Sequence, residues 1–159
     1  MALRTIRIMG DPVLTKTCRE VKEMTPKLSQ LIDDMFDTMY EACGVGLAAP
    51  QVGILKRIVV IDCGDDPYIL INPRLISSEG EQTGDEGCLS YPGKVATVTR
   101  PLKVVVEAEN EEMATIRYEA EGLLARAMCH EMDHLDGHMY VEKAEGPVRD
   151  VQMEAEAEE

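Results

Sequence analysis

The chain has no tryptophan, one phenylalanine and only three histidines among 159 residues. With so little aromatic bulk, the core falls to Leu, Ile, Val and Met. Basic residues are also short: 16 Lys and Arg stand against 30 Asp and Glu, a formal charge of -14. That balance argues against a broad nucleic-acid-binding face or a patch for anionic membranes, and no nucleic-acid motif is present. No apolar run approaches a membrane span, and Arg4 and Arg7 interrupt the N-terminus before a leader-like run can form, so neither a membrane partner nor a secretory leader is expected. The five cysteines (Cys18, Cys43, Cys63, Cys88, Cys129) are an odd number at irregular spacing, which suits reduced thiols and a metal ligand better than a disulfide framework. The expectation is a cytoplasmic monomer. Its length suits one domain, placed at residues 1–146, with an acidic solvated tail at 147–159 ending Glu-Ala-Glu-Ala-Glu-Glu.

What the chain does contain is ordered. Residues 1–24 carry Gly10-Asp11-Pro12 and little periodicity, and read as an extended arm with turns. Thr25 as N-cap, Pro26 at the first helical position and Leu28, Leu31, Ile32, Met35 and Met39 at helical spacing predict a helix to about Cys43. The run Gly44-Val45-Gly46-Leu47-Ala48-Ala49-Pro50-Gln51-Val52-Gly53 follows. Locally it reads as a helix cap and a tight turn; alternatively, its small residues let another backbone approach. Residues 57–62 and 68–72 predict a hairpin, residues 79–87 a polar, glycine-rich connection, and 94–99, 102–107 and 115–119 three more strands. Residues 121–135 predict a second helix stopped by Gly137. The class is α+β, with small antiparallel sheets around a central helix.

That helix carries the chemistry. His130-Glu131-Met132-Asp133-His134 reads H-E-x-x-H, and helix residues four apart stand one above the other, so two imidazoles can aim at one metal ion. Glu131 between them has the reach to act as general base on water at that ion. A catalytic site also needs a third protein ligand. The spacing seen when a third histidine follows a glycine places Tyr140 at that position, and His138 is misplaced. A glutamate from a later helix lacks chain length. Cysteine remains, with Cys88 in a turn after Glu86 favoured over Cys43 and Cys63 but not decided by spacing. Two imidazoles and a thiolate suit Zn(II) and other late first-row ions. A zinc protease cutting internal bonds and a closed structural metal site are the rival readings.

Taken together, three stretches resemble the peptide deformylase family: Gly44-Val45-Gly46-Leu47-Ala48-Ala49-Pro50-Gln51, Glu86-Gly87-Cys88-Leu89-Ser90, and His130 through Gly137. The resemblance runs nearly the whole length. One departure is Cys129, where the family usually has Gln before the first histidine; one residue along a helix turns the side chain about 100° away, so it is not a ligand position. The resemblance implies an α+β fold and hydrolytic removal of the formyl group from N-formylmethionine of newly made chains at the ribosome. It implies Cys88, His130 and His134 as ligands of Fe(II), replaceable by nickel, cobalt or zinc, and Glu131 as the base. The Gln51 amide and the Leu89 backbone N–H would meet the oxyanion, each such donor being worth about 3 kcal/mol. Val45 and Gly46 would pair with the peptide backbone, and Leu123 and Met128 would border a methionine pocket.

Overall fold

The structure, a computed structural model, describes residues 2–151. Its elements in chain order are α1 (Pro26–Glu41), β1 (Gly46–Ala48), β2 (Ile58–Asp62), β3 (Pro67–Glu79), β4 (Gln82–Cys88), β5 (Tyr91–Arg100), β6 (Lys103–Glu109), β7 (Thr115–Glu121), α2 (Leu123–Leu135) and β8 (Arg149–Asp150). Short 3-10 turns cover Pro12–Thr15, Ala49–Val52 and Tyr140–Lys143. The strands form a five-stranded sheet ordered β1-β2-β3-β6-β7 and a three-stranded sheet ordered β4-β5-β8, every pair antiparallel. The α+β class expected from sequence is thus observed.

The larger sheet lies between the two helices. Along β2, Val59 and Ile61 pack with Ala125, Ala127, Met128 and Leu135 of α2, while Ile58 and Val60 pack with Leu31, Ile32, Met35 and Met39 of α1. This explains why β2 reads Ile-Val-Val-Ile without alternation: both of its faces are buried. At α1 the cap is as expected, the Thr25 hydroxyl accepting the Leu28 N–H at 3.1 Å.

Four local expectations change. Residues 46–48 are a strand and 49–52 a helical turn, because Gly46, Leu47 and Ala48 pair with Ile61, Val60 and Val59 of β2. The left-handed residue ending α1 is Cys43, at φ 59, and not Gly44. The connection placed at residues 79–87 is largely β4, whose acidic residues and glycines conceal a strand paired along β5. Beyond Gly146, Arg149 and Asp150 pair with Val95 and Lys94, so the C-terminal segment begins as an added strand. The acidic run proposed as a solvated tail lies outside the described residues from 152 onward.

The arm of residues 2–24 is sewn down by backbone bonds: the Arg7 N–H donates to the Gln51 carbonyl, the Met9 N–H to the Ser90 carbonyl and the Cys18 N–H to the Leu135 carbonyl. Where the arm passes the end of α2, Gly137 sits at φ +81, and a Cβ there would fall 2.6 Å from the Thr15 carbonyl oxygen. Gly137→Ala therefore meets both a strained backbone and an occupied space. The expected loss is about 2 kcal/mol or more, read as a fall in Tm of roughly 4–8 °C by thermal unfolding of the metal-loaded protein.

Candidate metal centre and active site

Helix α2 presents His130 and His134 on one face, and the β4–β5 turn brings Cys88 to them. One ligand atom from each of the three lies within 4.8 Å of the others. Cys88 Sγ is 3.2 Å from His134 Nε2. No other such cluster of three occurs among the described residues.

His130 is aimed by Glu86. Its Nδ1 lies 2.5 Å from Glu86 Oε2. Burial opposes ionisation of Glu86, but hydrogen bonds from His130 and Arg100 outweigh it and bring its carboxyl down to about 2. The carboxylate thus carries no proton to give, so Nδ1–H is the donor and Nε2 faces the cluster. Glu86 is in turn clamped by two buried arginines: Arg100 donates to both of its oxygens at 3.0 and 2.6 Å, and Arg126 to Oε1 at 2.8 Å. A buried carboxylate facing two guanidiniums and an imidazole is compensated on every side, as a buried charge must be. Arg100 continues to Asp133 at 2.7 Å, tying the same helix again.

Two buried polar atoms of the site, Glu131 Oε1 and His134 Nδ1, have no hydrogen-bond partner among the described residues. Glu131 is buried, and its Oε2 stands 4.0 Å from His130 Nε2. Burial pushes its carboxyl up to about 7, with the His130 charge opposing and the Glu86 charge adding. Burial likewise pushes His134 down to about 3, helped by the charges of His130 and Arg100, so its imidazole stays neutral. His130 moves upward: burial opposes its charge, but Glu131, Cys88 and Glu86 together favour it.

The glycine-rich segment approaches Glu131 from the other side. A Cβ on Gly46 would lie 2.6 Å from Glu131 Oε2, and one on Gly44 would lie 2.6 Å from Leu89 Cδ1. Glycine at these two positions leaves room for the Glu131 and Leu89 side chains, so what comes close to this stretch is side chains of the site and not the second backbone its small residues suggested. Gln51 closes the constellation: its Nε2 donates to Ser90 Oγ at 3.0 Å and to Cys88 Sγ at 3.4 Å, while its Oε1 accepts the Ala48 N–H at 2.9 Å.

A cleft of about 660 Å³ opens here, lined by Val45, Gly46, Gln51, Cys88, Leu89, Leu123, Ala127, His130 and Glu131. Met128 is the exception among the residues proposed for the methionine pocket. It is fully buried in the core between α2 and the sheet, and the neighbouring Ala127 lines the cleft instead, because one helical step turns Met128 away. Cys129 faces a separate recess with Arg57, Met132 and Asp133. A larger recess of about 820 Å³, between residues 19–25, the first turns of α1 and Lys56, includes none of the three clustered residues.

Sequence reasoning quoted Glu86 only as part of a motif and missed Arg100 and Arg126 altogether. An acid two residues before a candidate ligand was the available signal for Glu86. The arginines gave none, since their partners lie 14 and 40 residues away.

The polypeptide deformylase family model matches residues 3–150. A peptide deformylase of Agathobacter rectalis is 66% identical over 154 residues, covering 97% of this chain and 98% of that protein. The crystal structure of a Legionella pneumophila peptide deformylase superposes with a TM-score of 0.88 at 42% identity, over 91% of this chain and 87% of that one. That of the Thermotoga maritima enzyme gives 0.89 at 37% identity, over 92% and 100%. The chain accordingly belongs to the polypeptide deformylase family, metal-dependent hydrolases that take the formyl group off newly made peptides.

Proposed function

We propose that Cys88, His130 and His134 hold a ferrous ion and that Glu131 is the base by which this chain deformylates N-formylmethionyl peptides. The observation that carries the reading is the cluster of one thiol and two imidazoles with a buried, unpartnered carboxylate beside it. The residues fit an ion: Glu86 fixes the His130 ring with Nε2 toward the cluster, His134 resists protonation, and sulfur and nitrogen donors suit a late first-row metal. A divalent ion at these ligands supplies Lewis acidity, polarising the formyl carbonyl and making water a nucleophile at neutral pH.

The chain's own groups do the rest. Glu131 accepts the proton of the attacking water and passes it to the leaving amine. The Gln51 side-chain amide, fixed through its own carbonyl by Ala48, and the Leu89 backbone N–H meet the developing oxyanion. β1 is the edge strand of its sheet, with β2 on one side, so Val45 and Gly46 offer backbone to an extended peptide. Leu123 and Ala127 border the space for the methionine side chain. All these groups come from one chain, which supports a monomer as the working unit. Formylmethionine stands at the start of a new chain, which supports a reaction near the ribosome, and five free thiols suit the cytoplasm.

Steady-state release of formate from a formyl-Met peptide by metal-loaded protein tests the activity, and no release would reject it. The donor set also accepts zinc, nickel or cobalt, and the choice of iron follows the family resemblance. An open ferrous site with a thiolate ligand is prone to oxidation. Anaerobically purified enzyme is therefore expected to lose activity on standing in air, while the nickel-loaded form keeps it. An unchanged rate with native metal after prolonged exposure would reject iron.

A further inference from the structure

We infer that the N-terminal arm is a positioning element of the reaction, in which the backbone N–H groups of Arg7 and Met9 tie the Gln51 turn to the Cys88–Ser90 turn and so hold the Gln51 amide toward the clustered residues. The inference rests on the deformylase reading above and extends it to a segment outside the three motifs.

Gln51 aims its amide through one neighbour. Its Oε1 accepts the Ala48 N–H at 2.9 Å, which fixes the orientation of the group and leaves Nε2 to donate to Ser90 Oγ at 3.0 Å and to face Cys88 Sγ at 3.4 Å. With one amide hydrogen held by Ser90, the other is directed at the cluster, where the formyl oxygen arrives. The aim therefore depends on how Ser90 is seated against Gln51. Both residues are buried, and they come from different elements: Gln51 from the 49–52 turn, Ser90 from the link between β4 and β5.

The arm is a backbone bridge between those elements. The Arg7 N–H donates to the Gln51 carbonyl and, two residues on, the Met9 N–H to the Ser90 carbonyl, each at 2.7 Å. Ile6, the preceding residue, lines the cleft. The strap is itself anchored: the Arg7 guanidinium donates to the Asp11 carboxylate at 3.2 Å, and it lies so close over Gly53, which ends the 49–52 turn, that a Cβ there would fall 3.0 Å from it. An oxyanion donor contributes by being fixed before the charge forms, so a bridge that stops the two turns from drifting apart acts on kcat more than on peptide binding.

Met9 is placed so that its N–H can be deleted with the turn kept. The Asp11 N–H donates to the Ile8 carbonyl at 3.0 Å and, of the two central residues, only Gly10 has a positive φ, +104, so this is a type II turn with Met9 at the position proline favours. Met9→Pro suits that turn but lacks the N–H that Ser90 uses; Met9→Ala keeps the N–H and trims a side chain that is 40% exposed. At matched metal content, Met9→Pro is expected to lower kcat on a formyl-Met peptide by about tenfold or more with KM within about twofold, and Met9→Ala to stay within about twofold of wild type. In a Gln51→Ala background, itself slower than wild type, Met9→Pro should cost less than about twofold, because the amide it aims is gone. Arg7→Pro deletes the other bond of the strap and should behave alike, so it serves where Met9→Pro does not fold. Met9→Pro matching Met9→Ala, an equal loss with and without the Gln51 amide, or failure of both proline variants to fold would overturn the arm as a positioning element. Wild type releasing no formate, or Gln51→Ala as fast as wild type, would instead overturn the reading on which it stands.

Discussion

Glu131→Gln releases formate at least about 100-fold more slowly than wild type at matched metal occupancy, close to 2.7 kcal/mol of barrier. The substitution keeps the shape of a side chain packed against Gly46 and leaves Cys88, His130 and His134 in place. It removes only the group that takes the proton. Metal content should stay near one per chain, and KM for a formyl-Met peptide should move little, because the carboxylate acts in the transition state more than in binding. The ion-free carboxyl sits at about 7, and a nearby cation draws it lower. The acid limb of kcat/KM in loaded enzyme should therefore lie below pH 7, and the mutant should lack it. A variant within tenfold of wild type would show that another residue is the base, and would revive the rival of a structural site in which Glu131 does no chemistry.

Cys88→Ala loses stoichiometric metal, and Cys129→Ala does not. Removing the thiol leaves two imidazoles, so the loss should exceed the roughly 10- to 100-fold that disturbing an outer partner costs. Cys129 is the matched control: it lies on the same helix as the histidines but opens onto a different recess. Metal analysis after dialysis, with formate release alongside, separates the two. Equal loss in both variants would remove Cys88 from the ligand set, and full retention in Cys88→Ala would favour a protease-like third ligand elsewhere.

What could be read in advance followed the range of the interactions. α1 and α2 were legible because their caps and periodic faces are local: Thr25 and Pro26 announce one, and the four-residue spacing of His130 and His134 is meaningful only on the other. β1 was not, because three residues rich in glycine and alanine become a strand only when β2 pairs with them. β4 was hidden by Asp85, Glu86 and two glycines, although Glu86 is buried precisely because Arg100, Arg126 and His130 converge on it from other elements. Met128 was misassigned by one helical step, since apolar character alone does not tell a core face from a cleft face. The proposed ligand set came from three motifs acting together, where spacing alone left the third residue open, and the structure brings Cys88, His130 and His134 within 4.8 Å of one another.

The arm that bonds to Gln51, Ser90 and Leu135 has a consequence in time. Synthesis runs from the N-terminus, so this arm is made before every seat it occupies and can settle only after them. The same order governs the proposed ligands. Cys88 emerges well before His130 and His134, and a half-made chain offers a lone thiol with no imidazoles beside it. On the proposed ligand set, metal capture would wait until α2 has emerged and packed on the sheet, so the molecule that trims new chains would itself begin as an inactive new chain.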